Sequence, residues 1–158
     1  MSPIDPGLKR NAAICILRAQ DQFLFLERLK APNRGKLVPI GGKVDPYESP
    51  SDTAIREIFE ESGRVVTEVK LQGVLVETSP IDYNWTSFVF LSEVPYFEPP
   101  YCNEGKLMWL SVADLAHIST PPTTLPIFEA IIQQQNFIFE AKYDSELRLL
   151  SLINHLAI

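Results

Sequence analysis

Glu57, Glu60 and Glu61 crowd three carboxylates into five residues, downstream of Gly41-Gly42-Lys43 and alongside Glu48 and Arg56. Carboxylates at this spacing can present several hard oxygen donors to one divalent cation, the donor chemistry that Mg²⁺ and Mn²⁺ take. Residues 49–62 read as a helix that carries them. Ser49 suits the N-cap, Pro50 the first helical position, Asp52 the positive end of the dipole, and Gly63 the left-handed position that closes a helix. At about 100° per residue, with Glu57 set at zero, Glu61 falls at about 40° and Glu60 at about −60°. Ala54, Ile55, Ile58, Phe59 and Ser62 occupy roughly 60° to 200° on the same reckoning. The helix therefore has an acidic face distinct from its apolar one.

That acidic face is unfavourable on its own. Like charges three and four residues apart destabilise a helix by roughly 0.2–0.5 kcal/mol per pair. Glu60 and Glu61 also sit in the last turn, where the dipole favours cations. Only Arg56 is an immediate basic neighbour. Three glutamates by themselves would read as a solvated face. The glycine loop changes that reading, because Gly41-Gly42 lets backbone pass close to a ligand. Lys43 can meet a phosphate as a point charge, and Glu48 is placed to pair with Arg56 and pin the loop to the helix. Local rules broken together are expected at functional sites.

Gly42, Glu48, Arg56, Glu57, Ile58, Glu60, Glu61 and Gly63 together resemble the Nudix box, Gly-x5-Glu-x7-Arg-Glu-U-x-Glu-Glu-x-Gly-U, where U is aliphatic. Only the final position departs: it is Arg64, with Val65 and Val66 following. The resemblance implies an α/β fold of the α+β kind, the Nudix α/β/α sandwich around a mixed β-sheet. It implies hydrolysis of a nucleoside diphosphate-linked compound with Mg²⁺ or Mn²⁺. It places Glu57, Glu60, Glu61 and the Gly41 carbonyl in the metal site, with Arg56 and Glu48 as the orienting pair. Metal-bound water and neutralised phosphate charge are what phosphoanhydride hydrolysis needs at neutral pH. Glu57 is the first choice for the base and Glu104 the second.

Beyond the box, the chain resembles the MutT-type triphosphatases that clear oxidised purine nucleotides, over residues 10–153. The carriers are Val38-Pro39-Ile40-Gly41-Gly42-Lys43, the stretch Asn103-Glu104-Gly105-Lys106-Leu107-Met108-Trp109-Leu110, and the ending 136–152. In that branch the carboxylate at Glu104's position approaches the metal. The branch's base-reading Asn and Asp pair are replaced here by Val38 and by Thr123-Thr124. The substrate-binding candidates are thus Arg28, Val38, Lys43, Thr123 and Thr124. The leading expectation is a nucleoside triphosphate cleaved to monophosphate and pyrophosphate, with modest preference for oxidised purines. Pro80 raises ADP-ribose or another nucleotide sugar as the rival, and Tyr83 or Trp85 a dinucleoside polyphosphate. A non-catalytic nucleotide-sensing module is a further rival, disfavoured because every box carboxylate is kept. His117 and His155 are expected at the surface, and Trp109 in the core.

The elements that must position these residues follow from apolar patterning. Residues 12–17 and 23–29 read as a hairpin around Gln20-Asp21, and residues 37–40 as a short strand entering the glycines. Residues 65–78 and 87–94 read as strands, rich in Val, Leu and Phe. Residues 107–110 read as a further strand, 112–115 as one helical turn, and 126–135 as a helix with Pro126 in its first turn. Residues 137–142 and 147–152 close the chain as a hairpin around Asp144-Ser145. At 158 residues the chain is expected to hold one domain, 10–158, behind a flexible start, 1–9.

Composition bounds the rest. Fourteen basic against twenty acidic residues argue against a duplex nucleic-acid partner. No apolar run approaches the ~20 residues that cross a bilayer, and residues 1–10 hold no secretory h-region. Two cysteines make neither a disulfide framework nor a zinc site, so a cytoplasmic setting is expected. The expected partner is a small-molecule nucleotide, with a homodimer left open.

Overall fold

The structure, a computed structural model, describes residues 8–157. Residues 1–7 of the expected flexible start lie outside them. Lys9, at its end, is tied by its ammonium to the Glu77 carbonyl (2.8 Å) and Thr78 Oγ1 (2.6 Å).

In chain order the elements are β1 (Arg10–Ala19), β2 (Gln22–Arg28), β3 (Leu37–Val38), β4 (Ile40–Lys43), α1 (Pro50–Ser62), β5 (Lys70–Thr78), β6 (Trp85–Glu93), β7 (Gly105–Ser111), a 3₁₀ turn (Val112–His117), α2 (Thr124–Ile132), β8 (Phe137–Tyr143) and β9 (Leu149–Asn154). They form one mixed sheet in the order β3-β2-β1-β6-β5-β8-β9, with β4 added on β1 and β7 on β2. The β1–β6 and β5–β8 pairs are parallel and the others antiparallel. The sheet is packed on both faces. On one, Ala54 and Ile58 of α1 meet Ala13, Cys15, Leu17, Leu24 and Leu26. On the other, Ile127, Phe128 and Ile131 of α2 meet Phe23, Phe25, Leu75 and Phe137. This is the expected α/β/α arrangement.

The feature that makes room for a site is a split hairpin. β1 and β2 pair through only Arg18↔Phe23 and Ala19↔Gln22. Beyond those rungs β2 turns to β3 and β7, and β1 takes β4 as its new neighbour, with Ile14 opposite Gly41 and Ala13 opposite Gly42. The glycine loop is therefore a short strand of the sheet, lying at the split.

Several boundaries differ from the sequence reading, those of β5 and α2 among them. β5 starts at Lys70, because residues 65–69 run as a connection whose Val66 and Val69 pack on the α1-side core. The approach is held by Arg64, stacked 4.2 Å over Phe97. α2 starts at Thr124, which still leaves Pro126 in the first turn, where its missing N–H has no helical partner to lose. His117 and His155 are exposed, the latter 2.6 Å from Glu140. Trp109 is half-buried against the α1-side core and donates to the Phe97 carbonyl at 2.8 Å, an anchoring role rather than a stacking one.

Candidate active site

Helix α1 is held in register at both ends. Asp52 N–H donates to Ser49 Oγ and Ser49 N–H to Asp52 Oδ2, each at 3.2 Å, a reciprocal capping box. Gly63, at φ 74°, donates its N–H back to the Phe59 carbonyl at 2.8 Å. With its ends fixed and its apolar face on the sheet, the helix has no freedom to turn its glutamates elsewhere.

Arg56 is the hub. Its Nε meets Glu48 Oε2 at 2.7 Å and its Nη2 meets Glu48 Oε1 at 3.0 Å, a bidentate fork. The same guanidinium reaches Glu57 Oε1 (2.9 Å), Glu60 Oε2 (3.1 Å), the Lys43 carbonyl (3.3 Å) and Asp45 Oδ2 (3.3 Å). Glu48 also accepts from Thr53 Oγ1 at 2.6 Å and from the Asp45 N–H at 3.2 Å. The Arg56 hydrogen bonds, then the Thr53 one, hold the Glu48 carboxyl down to about 2. The Arg56 guanidinium is in turn pushed above its ordinary value, chiefly by Glu48.

Glu61 is only 5% exposed and accepts the Gly41 N–H at 3.0 Å, which ties helix to glycine strand. Its carboxyl is raised well above the usual carboxylate range by burial, then by Glu104 within hydrogen-bonding reach, then by Glu57. Glu57 lies against Gly42, where an added Cβ would stand 2.5 Å from its Cδ. Burial raises the Glu57 carboxyl too, against the lowering effect of Arg56. Glu60, by contrast, is exposed.

These groups fit a divalent cation in donor chemistry. Glu57, Glu61 and Glu104 are hard oxygen donors whose mutual repulsion, seen in the raised Glu61 carboxyl, a cation would relieve. Among the described residues no three Asp, Glu, Cys or His side chains stand close enough together to hold a metal ion as they lie. Arg56 holds one oxygen each of Glu57 and Glu60, Oε1 and Oε2 respectively, and leaves their other carboxylate oxygens to face a cation.

The remaining predicted residues fall apart into groups. Lys43 is exposed at the end of β4. Arg28 spends its Nε on the carbonyls of Lys30 (3.3 Å) and Pro32 (3.0 Å), clamping the loop, and among the described residues it forms no ion pair. Val38 packs into the α1-side core. Thr123 and Thr124 are buried in the α2-side layer, Thr124 beside Leu115 and Phe128. Val38 and the two threonines are therefore not brought together. The sequence reading missed Asp45 and Thr53 in the Arg56 hub. It also missed Glu77, whose signal was a charge in step with Gly73 and Leu75, the buried positions of β5.

A mixed sheet between helical layers, with an acidic helix face on a glycine strand at a split hairpin, defines an α/β/α hydrolase site. The NUDIX domain model matches residues 7–131. An uncharacterised Nudix hydrolase, YvcI of Bacillus subtilis, is 30% identical over 143 residues, spanning 87% of this chain and 89% of the relative. The MutT protein of Bacillus halodurans superposes with a TM-score of 0.82 at 26% identity, covering 94% of this chain and 99% of that one. A MutT Nudix hydrolase of Burkholderia pseudomallei gives 0.70 at 25% identity, covering 77% and 97%. The chain belongs to the Nudix family and is a Nudix hydrolase, a class that acts on small nucleotides and generally uses divalent metals. Among the described residues no helix is long and apolar enough to cross a membrane.

Proposed function

We propose that this hydrolase cleaves a nucleoside triphosphate to the monophosphate and pyrophosphate, with only modest preference for oxidised purines. The observation that carries the reading is Glu61, buried on the Gly41 N–H beside Glu57 and Glu104 at the split of the hairpin. Glu57, Glu61, Glu104 and the Gly41 carbonyl would hold Mg²⁺ or Mn²⁺, with Glu60 at the rim. The bound metal supplies phosphate-charge neutralisation and acidified water. Glu57, raised by burial, is poised as a proton acceptor, and Arg56 with Glu48 fixes its direction. Lys43, exposed at the strand end, supplies a cation to the phosphate chain. Without an amide at Val38, discrimination between oxidised and ordinary guanine stays in the range of apolar contacts, ~10–200-fold.

The test is turnover of 8-oxo-dGTP, dGTP, dATP and ADP-ribose on one preparation, with phosphate and pyrophosphate read separately. Triphosphates should release pyrophosphate, and EDTA should abolish turnover until Mg²⁺ or Mn²⁺ is restored. Dominant turnover of ADP-ribose, or full activity in EDTA, would overturn the proposal.

A further inference from the structure

Glu61 and Glu77 are the buried carboxyl groups among the described residues. Glu61 belongs to the acidic site. Glu77 lies on β5 in the α2-side layer and is 6% exposed. Its Oε2 accepts from the Tyr143 hydroxyl at 2.6 Å and, weakly, from the Tyr83 hydroxyl at 3.5 Å. Its Oε1 accepts no hydrogen bond among the described residues, yet is not a sealed, unsatisfied atom. Among the described residues no cation is hydrogen-bonded to the carboxylate: the Lys9 ammonium lies near enough to act on it by charge but bonds the Glu77 backbone carbonyl and Thr78 Oγ1. Burial raises the carboxyl above its ordinary value. A residue needed only to accept two phenols would not require a charge, so the acid is unexplained by packing.

Sheet register shows what lies between Glu77 and the acidic site. One row crosses Lys43 on β4, Ala12 on β1, Ser87 on β6 and Leu75 on β5, all projecting to the α2 side. The next row carries Arg10, Trp85 and Glu77. Lys43 and Glu77 thus stand three strand spacings apart, about 14 Å across the sheet. Between them lie half-buried Ala12 and Ser87, which is 4% exposed, the small side chains of this row. A low floor with a cation at one end and an acid at the other matches a ligand that is anionic at one end and a hydrogen-bond donor at the other.

We propose that Glu77 is the specificity-determining residue for the base: its carboxylate receives the adjacent N–H donors of a 2-amino-6-oxopurine edge, lying over Ala12 and Ser87. The inference rests on the nucleotide reading above. Guanine-type bases present two neighbouring donors, which suit a carboxylate taken bidentately, with the long Tyr83 contact giving way. Adenine presents a donor beside a lone pair, which meets a carboxylate oxygen as a repulsion. Oxidation at C8 leaves the recognised edge untouched, consistent with modest discrimination of the oxidised base.

The experiment compares wild type and Glu77→Gln on dGTP, dITP and dATP, and measures GMP and AMP binding by calorimetry. Gln keeps an acceptor for Tyr143 but turns N–H groups toward the base. Wild type should prefer dGTP to dATP by ~10-fold or more, and dITP, lacking the 2-amino group, should lose much of that advantage. The variant should lose ~10–100-fold more in kcat/KM on dGTP than on dATP, chiefly through KM. An unchanged dGTP-to-dATP ratio in a variant that melts like wild type would overturn the proposal. If the variant fails to fold, the wild-type comparison decides: equal use of dGTP, dITP and dATP overturns it. Hydrolysis without base preference would sink Glu77 but leave the hydrolase reading standing. GMP bound over AMP by a protein that hydrolyses no nucleotide would do the reverse.

Discussion

Replacing Gly42 with alanine should separate catalysis from stability. A Cβ at this position would overlap the Glu57 carboxylate, standing 2.5 Å from Cδ and 2.9 Å from Oε2. The obstacle is the far end of a flexible side chain, so Glu57 moves and the backbone does not. Displacement forfeits the 2.9 Å contact with Arg56, worth on the order of 1 kcal/mol for a pair whose side chains are 28% and 13% exposed. Against this, alanine for glycine restricts the unfolded chain and contributes about 0.4–1 kcal/mol. The two nearly cancel, so the melting temperature should stay within about 4 °C of wild type. Turnover should fall by ~10²-fold or more, because the proposed base and ligand has lost its position. Gly41→Ala is the matched contrast. Its Cβ would overlap the Ala13 carbonyl inside the β1–β4 pairing and lie 3.2 Å from Ile14 Cα. Backbone must part there, at a cost of roughly 1–3 kcal/mol. Thermal melts and pyrophosphate release on both variants check the argument. Wild-type kcat in Gly42→Ala would refute the assignment of Glu57. A melt as low as that of Gly41→Ala would refute the claim that the neighbour is soft.

Further outcomes follow from the charge arrangement. In metal-free protein the raised carboxyls of Glu57 and Glu61 bind more protons folded than unfolded, so stability should fall as pH rises from about 4.5 through their folded values. Glu48, held down to about 2, keeps its contribution throughout that window and loses it only in stronger acid. Melting temperature against pH in EDTA should therefore slope downward, with Mg²⁺ or Glu61→Gln flattening it; a flat wild-type curve would contradict the crowding. Arg56→Lys cannot reproduce the bidentate fork on Glu48 and should cut turnover by about tenfold or more, with melts and steady-state rates as the readout. Ser49→Ala removes the capping oxygen and should cost about 0.5–2 kcal/mol in urea unfolding. Its kcat should stay close to wild type if the cap only holds the helix end.

Much of the site was legible in the sequence because its determinants are local. Helix α1 is bounded by residues whose side chains or backbone cap it directly, and three glutamates within five residues share a face by helical geometry alone. The Glu48–Arg56 pairing was legible for the same reason, eight residues bridging one loop and two turns. What lies between distant segments was not. The hairpin's early split, which makes a strand of Gly41-Gly42 beside α1, depends on β2 preferring β3 and β7 to β1, a competition among nonlocal partners. Placing Val38 in one layer and Thr123 and Thr124 in the other depends on which sheet face each strand or helix covers. Glu77, Tyr83 and Tyr143 span sixty-six residues of chain and meet only because β5 pairs with β8. Local capping and periodicity write a helix and its acidic face into the sequence; strand pairing and layer packing choose which acids share a cleft, because those energies exist only once the whole sheet has formed.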